Sequence, residues 1–150
     1  MSLGCGYDST FFWLNNPEQL ASYIEIDFKD VVQRKSKIIL AHEEMAKMVA
    51  EDLQTGDSHM FSKVYKLLAQ DVRDGELIKA QLEGQVDFSL PTLVITECLL
   101  IYMKKADSQG ILEWVRDIFT GDLSTINFEM INPDDKFGQM MVENLENRGC

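Results

Sequence analysis

Four short stretches of this chain carry residues whose types and spacing could do chemistry. The first is Gly4-Cys5-Gly6. Glycines let a backbone turn tightly and let a ligand approach with no Cβ in the way, although an ordinary turn has the same letters. The second is Asp27, which closes a strand-like segment roughly 20 residues beyond the loop, where a carboxylate can accept hydrogen bonds from a ribose diol. Loop and acid together favour an adenosine-containing ligand over chance. The third is QDVRD, residues 70–74, in which Asp71 and Val72 could meet an adenine amino group through a carboxylate or a backbone carbonyl. A solvated turn capped by Asp71 or Asp74 accounts for those letters as well. The fourth is Glu97, which follows a buried-looking apolar run and so falls at the rim of any crevice there. It could equally be a first-turn acid for the CLLIYM that follows.

The adenosine ligand is open on these residues alone. A dinucleotide loop calls for a third glycine at position 9 so that strand and helix pack closely, and Ser9 stands there instead. A short GxG with an acid after the second strand suits S-adenosylmethionine at least as well.

Other chemistries are poorly served. The net charge of -11 over 150 residues argues against a nucleic-acid partner, because phosphate binding needs clustered Lys and Arg. His42 and His59 are the only histidines, and HEEMA has Ala46 where a helical zinc site would place its second histidine. No metal is expected. Cys5, Cys98 and Cys150 form no CxxC pair, which fits free thiols in a reducing cytosol better than a disulfide framework. No apolar run approaches ~20 residues, and no basic stretch leads into an apolar one near Met1, so neither a membrane span nor a signal peptide is expected.

The elements that must position the four stretches alternate in type. Residues 22–28 (SYIEIDF) read as a strand, and 29–53 as helix, with apolar Val31, Val32, Ile38, Ile39, Met45, Met48 and Val49 and a break near Ser36. QTGDSH, 54–59, reads as a loop. Residues 63–72 read as a third strand, followed by a short helix around GELIKAQLEG, and 90–97 as a strand buried on both faces. ADSQGILEWVRDIFTG is an amphipathic helix capped by Asp107 or Ser108, with Ile111, Leu112, Val115, Ile118 and Phe119 inward. Residues 123–131 read as a strand, and Asn132-Pro133 start a last helix that runs out near Arg148 and Gly149. Strands separated by helices predict one α/β domain, a doubly wound and mostly parallel sheet with ligands at the carboxyl ends of its strands.

SLGCGYDSTFFWL, YIEIDFKDVVQRK, DVRD, LPTLVITECLLIYM and FEMINPDDKFGQMMVENLENRGC, in that order over nearly the whole chain, resemble the leucine carboxyl methyltransferases. TECLLIYM and INPDDKFGQMM are particular to that family, whereas the glycine loop is shared by many methyltransferases. The resemblance implies a class I, Rossmann-like fold and methyl transfer from S-adenosylmethionine to the C-terminal leucine carboxylate of the protein phosphatase 2A catalytic subunit. It puts Gly4, and with it Gly6 of the same loop, against the cofactor, Asp27 on its ribose hydroxyls, Asp71 and Val72 around its adenine, and Glu97 near its methionyl portion. Tyr102, the one catalytic candidate, and Met103 would line the path of the methyl group. Lys104 and Lys105 could attract the anionic tail, although a solvated helix start explains them as well.

The resemblance also implies more chain on either side: an upstream segment with a lid and an arginine for the cofactor carboxylate, and two final strands with substrate-facing elements downstream. Residues 1–150 are therefore expected to be a partial methyltransferase domain, incomplete at both ends, from an enzyme that is cytoplasmic and monomeric when whole. The competing readings are a dinucleotide-dependent oxidoreductase and a non-catalytic interaction fragment.

Overall fold

The computed structural model describes residues 1–14 and 16–149, without the side chains of Glu18 and Arg148, so Cys150 lies outside the described residues. Its strands are β1 (Ser2–Leu3), β2 (Tyr23–Asp27), β3 (Gln54–Gly56), β4 (His59–Phe61), β5 (Tyr65–Ala69), β6 (Thr92–Glu97) and β7 (Leu123–Phe128). Its helices are α1 (Thr10–Trp13), α2 (Lys29–Ala41), α3 (Glu43–Met48), α4 (Gly75–Leu82), α5 (Lys105–Ile118) and α6 (Lys136–Arg148), with short 3-10 turns at Pro17–Gln19 and Leu100–Tyr102.

One sheet holds every strand, in the order β3-β4-β5-β2-β1-β6-β7. β5, β2, β1, β6 and β7 are mutually parallel, and the β3–β4 hairpin adds antiparallel to the outer side of β5. The chain builds from β1 towards β5, then returns past β1 to lay down β6 and β7. Between β1 and β6 the direction of winding reverses, which opens a crevice at the carboxyl ends of those two strands. The expected mostly parallel α/β sheet is what forms, with an antiparallel hairpin that was not expected.

Two cores flank it. On one face α4 and α5 cover Leu3, Ile24, Ile26, Leu68 and Val94 with Ile78, Leu82, Ile111, Val115 and Ile118. The three α5 residues recur at helical spacing, and each fully buried one contributes about 1.5–3 kcal/mol. On the other face Val32 and Ile39 of α2 pack with Phe11, Met60, Tyr65 and Leu67. Phe11 lies 4.8 Å from the Tyr65 ring and 5.2 Å from the Tyr23 ring, centroid to centroid. This aromatic cluster holds the single turn of α1 against the sheet.

Several boundaries differ from the sequence reading. QTGDSH is not a loop but most of the β3–β4 hairpin, because β5 offers its outer edge as a pairing partner. The long helix breaks at His42, not near Ser36. α5 starts at Lys105, so Asp107 and Ser108 fall inside its first turn and do not cap it, and Leu112 is exposed. β7 ends at Phe128, and α6 begins at Lys136 with Asp135 as its cap, accepting the Gly138 N–H at 2.7 Å. β6 is not buried on both faces. Leu93 of β6 and Ile126 and Phe128 of neighbouring β7 remain exposed. Among the described residues, no helix is long and apolar enough to cross a membrane.

Candidate functional site

The strand register carries the four stretches to one edge of the sheet. Leu3 pairs with Ile26 and with Thr96, and Asp27 pairs with Ala69. Gly4, Asp27, Asp71 and Glu97 consequently all fall at or just past the carboxyl ends of four adjacent strands. With ~4.8 Å between strands, that row spans about 14 Å.

The glycine loop is built for its turn. Gly4 has φ +67° and Gly6 φ +49°, in the left-handed region that a side chain disfavours. The Gly4 and Cys5 N–H groups both donate to the Ile26 carbonyl, at 2.9 and 3.2 Å. The Gly6 N–H donates to Asp27 Oδ2 at 2.7 Å, and the Phe28 N–H to Asp27 Oδ1 at 2.7 Å. Each carboxylate oxygen thus spends one lone pair fixing its own orientation and keeps another for a ligand hydroxyl.

Beside this loop lies a cavity of about 520 Å³, lined by Gly4, Cys5, Asp8, Thr10, Tyr23, Ile95, Glu97 and Cys98 among others. Glu97 is exposed to it and has no hydrogen-bond or ion-pair partner among the described residues. Among the described residues, the lining carries two carboxylates, Asp8 and Glu97, and no lysine or arginine. Burial pushes the Cys5 thiol up to about 12, helped by the nearby Glu25 carboxylate, so it stays protonated at neutral pH.

Asp71 and Val72 sit two strands from Gly4, outside the cavity's lining. The Asp71 carboxylate accepts from the Arg73 side chain, Nε at 2.9 Å and Nη2 at 2.5 Å, and from the Arg73 N–H at 3.0 Å. Those bonds hold its pKa below the usual carboxylate range. The Val72 side chain is in the core, and its carbonyl accepts the Trp114 indole N–H at 2.9 Å. Tyr102 ends a 3-10 turn and is exposed, and Met103 packs against the core under α4 and α5; neither lines the cavity. Lys104 and Lys105 are exposed at the start of α5.

Beneath the site lies a group that sequence periodicity missed. Lys35 of α2 and Glu25 of β2 are both buried, with Lys35 Nζ 2.6 Å from Glu25 Oε2. The Tyr65 hydroxyl donates to the same oxygen, while Glu25 Oε1 has no partner among the described residues. Desolvation raises the Glu25 pKa, with Lys35 and Tyr65 opposing the shift. A second missed group is Glu129. Reading the last strand through residue 131 hid that this acid, like Asp27 and Glu97, stands at a strand's carboxyl end.

The family model described as leucine carboxyl methyltransferase matches residues 1–116. This chain belongs to that family. Over its whole length it is 39% identical to leucine carboxyl methyltransferase 1 of Rattus norvegicus, 36% to that of Bos taurus, and 35% to a homolog in Arabidopsis thaliana. It spans about half the length of these relatives, 46–47% of each.

Proposed function

We propose that this chain forms the donor-binding part of an S-adenosylmethionine-dependent methyltransferase acting on the C-terminal leucine carboxylate of the protein phosphatase 2A catalytic subunit. The observation that carries the reading is the glycine turn locked to Asp27 beside a cavity whose only charged lining groups are acids. Such a lining favours a ligand that brings positive charge, as a sulfonium and an amino group do. It opposes the pyrophosphate of a dinucleotide. The one-turn length of α1 adds little helix dipole for phosphate, and Ser9 Oγ is engaged by the Trp13 indole N–H at 3.1 Å. Both features weigh against an oxidoreductase.

The residues present fit such a donor. The open lone pairs of Asp27 suit ribose hydroxyls, the bare Cα of Gly4 admits close approach, and unpaired Glu97 suits an ammonium group. Asp71 and Val72 lie where the adenine end of a ligand lying along the strand ends would reach. When bound, the donor supplies a methyl carbon made electrophilic by a positively charged sulfur. The acceptor, an α-carboxyl with a pKa of ~3.5, is ionised at neutral pH and needs no base to activate it. What this chain contributes is position: it orients the donor and keeps water from its reactive end. That chemistry requires no acid–base pair among the residues lining the cavity.

Titration calorimetry against S-adenosylhomocysteine and against NADH separates the two ligand classes. Binding of the first and not the second is expected, and the reverse would overturn the reading. Methyl transfer to a peptide ending in a leucine carboxylate, and not to its C-terminal amide, is the expected substrate pattern.

A further inference from the structure

The loop between β6 and α5 reaches the cavity through its first residue, Cys98, yet its backbone is held from another strand. Glu129, the residue after β7, accepts two hydrogen bonds through Oε1, from the Leu99 N–H at 3.2 Å and the Leu100 N–H at 2.9 Å. These are the first amides of the 3-10 turn Leu100–Tyr102, which a turn cannot satisfy internally. The carbonyl of Leu100 is tied in turn to the Ser108 hydroxyl of α5 at 3.0 Å. Cys98, just before, sits at φ +48°, a left-handed conformation uncommon for a residue with a Cβ, and its N–H donates to the Phe128 carbonyl at 2.9 Å. The Leu99 side chain then lies so close to Gly4 that a Cβ there would stand 2.7 Å from Leu99 Cδ1. A line of contacts therefore runs from the end of β7, through the β6 loop, to the glycine turn of β1. It crosses the switch point where Glu97 and Gly4 face the cavity.

We propose that Glu129 is a positioning residue for the donor site: its carboxylate clamps the Leu99 and Leu100 amides, fixing the loop that follows Glu97 and seats Leu99 on Gly4. The role rests on the methyl-donor reading above. Glu129 does not touch the cavity and takes no part in the chemistry. Its effect passes through the conformation of Cys98, Leu99 and Leu100. Without it, the strained Cys98 turn loses an anchor and the β6 loop can relax away from Gly4.

The test compares Glu129→Ala with Glu129→Gln. The glutamine carbonyl can still accept both amides, whereas alanine removes the acceptor. In Glu129→Ala, exchange of the Leu99 and Leu100 amides with solvent is expected to accelerate at least tenfold, and affinity for S-adenosylhomocysteine to fall about tenfold. Glu129→Gln is expected to keep both within about threefold of wild type. Should Glu129→Ala fail to fold, Glu129→Asp takes its place, since the shorter side chain keeps the charge but cannot reach both amides. Unchanged amide exchange or unchanged affinity in the variant lacking the clamp overturns the proposal. So does a glutamine variant as impaired as alanine, which would make charge, not the clamp, the operative property. A wild-type protein that binds no S-adenosylhomocysteine fails the earlier reading, and this role falls with it. A wild type that binds, beside an alanine variant that binds equally well, fails this inference alone.

Discussion

Replacing Lys35 by methionine removes the counter-ion of Glu25 while nearly preserving side-chain volume. The two side chains are only 4% and 1% exposed, so the carboxylate left behind has neither water nor a cation to stabilise it. Breaking such a buried pair on one side costs about 3–5 kcal/mol. That is a large share of the ~5–15 kcal/mol that holds a domain together. The deficit should depend on pH, with a definite sign. Burial already raises the Glu25 pKa above its unfolded value, and Lys35 is the first of the groups that oppose the rise. Without Lys35 the folded pKa climbs further. Between the unfolded value of ~4.3 and the raised folded value, the native state holds a proton that the unfolded chain has released, so stability falls as pH rises through that window. The loss in Lys35→Met should therefore be small below pH ~4.3 and full at neutrality. Equilibrium urea unfolding of wild type and variant at several pH values measures it, and Glu25→Gln/Lys35→Met should regain most of the difference. A Lys35→Met protein within ~1 kcal/mol of wild type at pH 7, or a deficit equal at both ends of the pH range, would refute the reasoning.

Three further outcomes are expected. Gly4→Ala forces a Cβ onto a φ of +67° and against Leu99, at a cost of about 1–2 kcal/mol, and should lower S-adenosylhomocysteine affinity more than it lowers the melting temperature. Gly75→Ala places a Cβ 2.4 Å from Trp114 Cγ, so calorimetric melting should show about 1–3 kcal/mol of destabilisation with the ligand site intact. Cys5, buried and with a pKa near 12, should resist thiol reagents at pH 8 in the native protein and react at once after unfolding, whereas a native-state rate matching that of a free thiol would contradict its burial.

The strand-end positions of several candidate residues were legible in the sequence. Asp27 and Glu97 were identifiable because a charged residue at the end of an apolar, strand-like run has one place to go in a parallel sheet, the carboxyl-end rim. Gly4 and Gly6 were identifiable because only a residue without a Cβ is at ease in the turn that brings Gly6 to Asp27. Glu129 obeys the same rule as Glu97, but the strand boundary was read three residues too late to expose it. Lys35 was invisible for a different reason. Helical periodicity marks the inward face by its apolar residues, and a lysine at an inward position reads as a surface residue until its carboxylate partner is seen across the sheet. The β3–β4 hairpin escaped because its strands are only three residues each, too short to show a period-two pattern, and extend where β5 provides an edge.

The order of local signals along the chain was enough to determine most of the alternation of strands and helices, the glycine turn and the placing of Asp27 and Glu97 at strand ends, because each depends on a few neighbouring residues, while the resemblance over nearly the whole chain pointed to the family. Tertiary structure alone decided which strands lie side by side, that Lys35 neutralises Glu25 from 2.6 Å, and that Glu129 reaches back 29 and 30 residues to hold the β6 loop. Those facts depend on pairings between distant segments. Their free energy comes from desolvation and register in the assembled sheet, which no local pattern of residues encodes.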